Sequence, residues 1–129
     1  MWFIVDPRSS IPIYLQLVNG VKEAVARGVL VAGEKMPSVR ELATQITIKP
    51  NTIAKAYQEL EREGIIETFR GRGTFVTQKK KEVNREEGKG ILKMLMRNIL
   101  IEAYHLQFDS EETVGLFQEV VRAWEKEQV

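Results

Sequence analysis

Two predicted helices, joined by a very short turn, lie in the N-terminal half of this chain. Ser38 and Glu41 have the spacing of a capping box, in which a serine hydroxyl and a glutamate carboxylate each accept a hydrogen bond from a backbone N–H at a helix start. Apolar residues at helical spacing follow, and only residues 47–49 separate this predicted helix from Pro50. Proline suits the first position of a helix, where its missing N–H has no partner to lose. Two helices joined by so tight a turn predict a helix-turn-helix.

A β-hairpin is predicted directly after the helix that begins at Pro50. This helix runs to Glu63 and ends at Gly64, because glycine most readily adopts the left-handed conformation of a helix end. Two β-prone runs, residues 65–69 and 74–76, come next and are joined by the sequence Arg70-Gly71-Arg72-Gly73. We therefore expect a hairpin wing over about residues 65–77, beside a recognition helix over about residues 50–63.

One further helix is predicted before the helix-turn-helix. Pro12 stands in its first turn and Gly28 ends it. Its apolar residues follow helical spacing and are Tyr14, Leu17, Val18, Val21 and Val25. Residues 29–31 predict a short strand, and residues 32–34 predict a turn. These elements together predict a compact domain over residues 1–78.

Residues 79–129 predict a pair of helices. The stretch 78–90 is highly charged and contains two glycines, so it is either a linker or the frayed start of a helix. A strongly apolar helical face follows over residues 91–106, and the pair Asp109-Ser110 is suited to capping a last helix. Two helices of this size cannot bury both apolar faces unaided, so we expect a second copy of the chain to cover them. The residues expected in this homodimer contact are Leu92, Leu95, Ile99, Phe117, Val121 and Trp124.

The predicted fold class is therefore mainly α with a small β-hairpin, a winged helix-turn-helix domain followed by a C-terminal helical hairpin. The absence of cysteine excludes disulfides and thiolate chemistry, and the apolar runs are too short to span a bilayer, so a cytoplasmic location with no membrane contact is expected. Residues 1–80 contain twelve Lys and Arg against eight Asp and Glu, whereas residues 81–129 contain seven against ten. The N-terminal part, at net +4, is thus the part suited to a polyanion.

The helix that begins at Pro50 has two chemically different faces. One face is apolar, whereas the opposite one presents Asn51, Lys55, Gln58 and Arg62 at spacings of four, three and four residues. Asn and Gln can pair with adenine in the major groove, and Lys can meet guanine or a phosphate, so this stripe predicts contact with double-stranded DNA. A solvated outer face is the alternative for such a stripe alone, and the preceding helix and tight turn favour DNA recognition.

Three arginines outside that stripe are further candidates for DNA contacts. Arg40, at the second position of the preceding helix, is placed to reach the phosphate backbone, although it is also compatible with an ordinary surface residue. Arg70 and Arg72 alternate with Gly71 and Gly73 at the wing tip, where the glycines permit close approach to phosphates or to a narrow minor groove. A plain glycine-rich turn is the alternative, and the two cationic side chains favour DNA.

The ordered set of motifs resembles the DNA-binding domain of the GntR family of bacterial repressors. The fragments that carry the resemblance are GEKMPSVRE at 33–41, LA at 42–43, KPNTIAKAYQELEREGII at 49–66 and GRGTFV at 71–76. Together with PIYLQL at 12–17 and the brief helical tail, they are similar to the YtrA subfamily in particular. The resemblance implies a dimeric repressor on an inverted-repeat operator, often upstream of genes for an ABC-type transporter. It implies DNA contacts by Arg40, Lys49, Asn51, Thr52, Lys55 and the wing tip around Arg72 and Gly73.

The sequence departs from the family pattern at two positions. Lys49 stands where the family more often has Ser or Asn, and a lysine cannot accept the capping hydrogen bond that those side chains accept. Pro50 replaces an arginine found in many relatives outside the subfamily, so one base-reading contact of the wider family is missing. Residues 79–129 have no room for the larger effector-binding or aminotransferase-like domains of other members.

Three other functions are alternatives to DNA-dependent regulation. An enzyme is not expected, because His105 is the only histidine and no nucleophile–base pair or paired carboxylates stand at a telling spacing; no cofactor or metal is expected either. A winged helix that binds a protein would need neither the cationic wing nor the polar stripe. A sensor for an unidentified small-molecule effector at the dimer interface stays open, since nothing in the sequence identifies the molecule.

Overall fold

The computed structural model describes residues 5–78 and 82–127. Within these ranges five helices and one two-stranded antiparallel sheet form, so the predicted fold class is confirmed. The elements are α1 (Ile13–Ala26), α2 (Val39–Ile46), α3 (Pro50–Arg62), β1 (Ile66–Phe69), β2 (Gly73–Val76), α4 (Arg85–His105) and α5 (Ser110–Glu127). The chain divides into two compact units, Met1–Lys81 and Glu82–Val129. None of the helices in the described ranges is both long and apolar enough to cross a bilayer.

The first unit has a hydrophobic core centred on the inner face of α3, which packs against α1, α2 and β1. The side chains of Ile53, Ala56 and Leu60 are completely buried, and Tyr57 is nearly so. Four residues of α1 and two of α2 face them, as the helical spacing predicts. Helix α3 is therefore anchored by its inner face, and its outer face is exposed to solvent.

The turn between α2 and α3 forms as the sequence predicts. At the start of α2, the Glu41 N–H donates to Ser38 Oγ at 3.1 Å and the Ser38 N–H donates to Glu41 Oε1 at 3.1 Å. Helix α2 ends at Thr47, which adopts the left-handed conformation with φ of 56°. Pro50 is the first residue of α3. The capping box and the proline thus set where each helix of the motif begins.

Strand β2 of the wing forms hydrogen bonds along both of its edges. Strand β1 pairs with β2 in the register Ile66 to Val76, and residues 33–36 pair with the other edge of β2. The Gly33 N–H donates to the Val76 carbonyl at 2.9 Å and the Met36 N–H donates to the Thr74 carbonyl at 2.8 Å. The hairpin is therefore anchored to the segment that leads into α2.

The prediction of a short strand over residues 29–31 is wrong. The N–H groups of Val29 and Leu30 both donate to the Ala24 carbonyl, at 2.9 and 3.1 Å, so they complete the end of α1 and are not available to a sheet. Val29 and Val31 are exposed, and only Leu30 enters the core. Strand-like pairing begins at Gly33, within the predicted turn, because the Gly33 N–H donates to the Val76 carbonyl.

In the second unit, α4 begins earlier than a linker over residues 78–90 would allow. The Asn84 side-chain oxygen accepts hydrogen bonds from the N–H groups of Glu86 and Glu87 at 3.0 and 3.3 Å, and this cap starts the helix at Arg85. The linker alternative is thus wrong for residues 85–90, which are helical, whereas residues 79–81 lie outside the described ranges. The predicted cap of α5 is confirmed, since Asp109 Oδ1 accepts from the Glu112 N–H at 2.8 Å.

Candidate nucleic-acid interface

The outer face of α3 is exposed along its whole length. Asn51, Lys55, Gln58 and Arg62, the predicted stripe, are all solvent-exposed, whereas the inner face is buried. The hydroxyl of Tyr57 donates a hydrogen bond of 2.7 Å to the Pro37 carbonyl, just before α2. Burial raises the pKa of this hydroxyl, so it remains a neutral donor at physiological pH. The inner face and this hydrogen bond together fix the orientation in which α3 presents its outer face.

The start of α3 is free of negative charge. Lys49, the residue before the helix, is exposed and makes no side-chain cap hydrogen bond, in accord with the chemistry of lysine. The first turn contains no acidic residue, Asn51 is exposed and Thr52 is half-buried. A helix N-terminus has a partial positive charge, and no carboxylate in the first turn of α3 opposes it. This end of α3 is therefore electrostatically suited to a phosphate group.

Arg40 projects from the first turn of α2 and is exposed. Its neighbour Glu41 is occupied by the capping box, and hydrogen bonds from Ser38 lower the pKa of the Glu41 carboxyl. The structure thus places Arg40 at the exposed start of the first helix of the motif, as the sequence predicts.

Two cationic side chains of the outer face already have partners within the protein. The Lys55 ammonium lies over the ring of Tyr14 in α1, with its Nζ atom 3.9 Å from the ring centroid. Arg62 donates from Nε to Glu59 Oε1 at 3.0 Å and makes a second hydrogen bond to the same carboxylate. These hydrogen bonds lower the pKa of Glu59 to about 2 and keep that carboxylate charged. Arg62 is thereby paired with an opposite charge, whereas the partner of Lys55 is an uncharged ring.

The wing tip presents both predicted arginines to solvent. Arg70, Gly71 and Arg72 are exposed, and the Arg72 N–H closes the turn by donating to the Phe69 carbonyl at 2.9 Å. Gly71 and Gly73 have φ of 78° and 115°, values that favour glycine. The tip therefore needs its glycines for backbone conformation as well as for close approach.

Lys35 is a cationic residue near the wing that sequence reasoning missed. It pairs with Phe75 of β2, and its Cε atom lies 3.1 Å from the point where a Cβ on Gly73 would stand. The side chain of Lys35 thus passes directly over Gly73, and its Nζ is 3.7 Å from the same point. No local signal could have revealed this contact, because Lys35 precedes α2 and the pairing depends on how the hairpin folds back.

The residues predicted for dimer contact lie on α4 and α5 with much of their surface in solvent. Leu92 and Leu95 are each 55% exposed, Ile99 46% and Phe117 47%. Trp124 is 36% exposed and Val121 is half-buried. Two apolar grooves, of about 370 and 530 Å³, run along the helices and share Ile99 and Phe117. Large apolar area of this kind on a small unit is typical of an interaction surface.

Comparisons with known proteins agree with this architecture. The model of the family described as bacterial regulatory proteins, gntR family, matches residues 13–76. Over 116 residues the chain is 44% identical to the HTH-type transcriptional repressor YtrA of Bacillus subtilis, covering 90% of this chain and 89% of YtrA. A solved structure of a transcriptional antiterminator from Listeria monocytogenes EGD-e superposes with a TM-score of 0.83 at 35% identity, covering 96% of this chain and 92% of that one.

One solved relative contains DNA. The DNA-binding domain of AraR, in complex with its operator ORX1, superposes with a TM-score of 0.51 at 28% identity, covering 58% of this chain and 93% of that domain. In that complex the winged helix of AraR binds DNA, and not the protein partner that the sequence left as an alternative for such a domain. Since the YtrA match spans most of both proteins, the chain belongs to the GntR family of bacterial DNA-binding transcriptional regulators, is YtrA-like within it, and is not an enzyme.

Proposed function

We propose that this regulator is a homodimeric repressor that binds an inverted-repeat operator through the outer face of α3 and the wing. The observation that carries the proposal is the exposed polar outer face of α3, held in orientation by a fully buried inner face. A helix presented in this way fits the major groove, where Asn and Gln side chains can read adenine. Repression is the activity in the name of the Bacillus subtilis relative at 44% identity.

Contacts to the DNA backbone are assigned to the residues around that face. Arg40, Lys49 and Thr52 lie at the helix starts, and Arg70 and Arg72 lie at the wing tip. Cationic side chains and helix N-termini typically bind phosphates and so fix the register of the protein on the duplex. In this assignment Asn51 and Lys55 supply the sequence-reading contacts. Gly71 and Gly73 let the tip approach the duplex.

We assign the dimerisation contact to residues 79–129. The exposed apolar residues of α4 and α5 and the two grooves between them supply a surface that a second copy can bury. A twofold dimer presents the same patch on both protomers, so one apolar surface is sufficient. We assign no effector site here, because a small molecule bound in these grooves would compete with the second copy.

The proposal is tested by DNase footprinting of the full chain on fragments selected from its own genome. Two recognition helices related by a twofold axis should protect two half-sites separated by about 34–36 Å, one turn of DNA, or by a multiple of it. A single asymmetric protected site would contradict the dimer. Fragments that are bound no more tightly than bulk DNA at near-physiological salt would contradict the outer face of α3 as a reader of sequence.

Separate roles for α3 and the wing predict different effects of two substitutions. Lys55→Met should weaken operator binding more than binding to a scrambled duplex, because it removes a contact to the bases. Arg70→Gln should weaken both and lower the slope of log K against log salt by about 0.9, the loss of one phosphate contact. Fluorescence anisotropy titrations between about 50 and 200 mM salt measure both effects. Equal losses on the two duplexes for both variants would show that these roles are assigned wrongly.

A further inference from the structure

The ring of Tyr14 lies against the ammonium of Lys55. Tyr14 is the second residue of α1, and its half-buried ring packs against the core of the first unit. The ring is therefore fixed by packing, whereas Lys55 is exposed on α3. The Nζ atom lies 3.9 Å from the ring centroid, well within the range of a cation–π interaction. An otherwise flexible side chain is thus ordered by a rigid one.

The nearest acidic side chain along α3 is already occupied. Glu59 stands one turn after Lys55, at the spacing where a lysine and a glutamate commonly pair. Its carboxylate instead binds Arg62 through two hydrogen bonds. A carboxylate paired with Lys55 would bring negative charge to the surface assigned to DNA, whereas an aromatic ring brings none. Contact with the ring therefore orders the ammonium without cancelling its charge.

We infer that Tyr14 is a positioning residue for sequence reading by Lys55. A lysine side chain has four rotatable bonds, and fixing it on binding costs rotamer entropy. The Tyr14 ring restricts this freedom before DNA arrives, and the ammonium, with three N–H donors, keeps donors for the duplex. The inference rests on the proposed contact between Lys55 and the operator.

A double-mutant cycle in the full chain tests the inference. The probes are a labelled duplex of the footprinted sequence and a scrambled duplex of the same composition. Tyr14→Leu should weaken operator binding about two- to fivefold, the size of an exposed cation–π contact, and should change scrambled binding less. Tyr14→Phe, the matched control, retains the ring and should bind as the wild type does. In the Lys55→Met background, Tyr14→Leu should cause no further loss.

Other outcomes overturn the inference. An equal loss from Tyr14→Leu in the Lys55→Met background would show that Tyr14 only supports the packing of α1. Unchanged or tighter binding by Tyr14→Leu would show that the ring does not help, or that it withholds the ammonium. If Lys55→Met alone leaves operator binding unchanged, the proposed contact of Lys55 itself fails, and that failure is seen without any Tyr14 variant.

A measurement on the unmodified protein covers the case in which Tyr14→Leu does not fold. An ammonium over an aromatic ring places the neighbouring methylene protons in the shielding region of that ring. We therefore expect upfield-shifted Lys55 ε-protons in the NMR spectrum of the DNA-free chain, retained in Tyr14→Phe. Unshifted ε-protons would overturn the inference.

Discussion

A chain cut after residue 78 should fold as a monomer and bind a two-half-site operator about 100- to 10,000-fold more weakly than the intact protein. The first unit has its own core, formed by α1, α2, α3 and the hairpin, so we expect it to fold without α4 and α5. Two linked reading heads bind far more tightly than one because the second head binds at a high effective concentration. Size-exclusion chromatography and anisotropy titration measure the two effects.

A point substitution in the full chain separates the effect of losing dimerisation from the effect of deleting residues 79–129. Phe117→Asp in the full chain places a charge where both apolar grooves meet. Like the truncated chain, this variant should be a monomer and should bind the operator weakly. Val29→Asp is the matched control, because Val29 is an equally apolar residue that is 52% exposed in the other unit. If the truncated chain still elutes as a dimer, or still binds the operator as the intact chain does, the assignment of dimerisation to α4 and α5 is wrong.

Leu60→Ala should lower the free energy of unfolding of the first unit by about 2–5 kcal/mol. Leu60 lies on the inner face of α3, and its side chain has no exposed surface. The substitution removes buried methyl groups and leaves a cavity that a tightly packed core fills only in part. Urea denaturation followed by circular dichroism at fixed protein concentration measures the change.

Leu15→Ala is the matched control for this experiment. It makes the same chemical change on α1, at a side chain that is 36% exposed, and should lower the free energy of unfolding far less. Because Leu60 does not reach the outer face of α3, the variant should still bind operator under conditions where it is folded. Equal destabilisation by the two substitutions would mean that the inner face of α3 is not the centre of the core.

Helix boundaries within the helix-turn-helix followed from short-range chemistry. The Ser38–Glu41 capping box, Pro50 at the first position of α3 and Gly64 beyond its end each act within a few residues of a helix end. The same local reasoning failed at residues 29–31, where β propensity was overridden because two N–H groups complete α1. It also left open whether residues 85–90 are linker or helix, because two glycines obscured the Asn84 cap.

For the candidate site, the sequence predicted which side chains are exposed but not which contacts they make within the protein. Helical spacing placed Asn51 and Lys55 on one face of α3, and the alternation of arginine with glycine marked the wing tip. The spacing did not reveal that Lys55 lies on Tyr14 or that Lys35 passes over Gly73. Both contacts join residues far apart in the chain, and they form only when α1 packs on α3 and β2 pairs with residues 33–36.

The amino-acid sequence alone determined where the helices of the helix-turn-helix and the hairpin lie and which side chains α3 turns outward, because hydrogen bonding and periodicity within a few residues decide both. Tertiary structure decided which outward side chains are already held by a neighbour and which apolar surface remains uncovered. Those outcomes depend on the distance between elements that the chain brings together only on folding. Thus Lys55 lies over an aromatic ring and Arg62 pairs with a carboxylate, although the sequence presents them as equivalent cations.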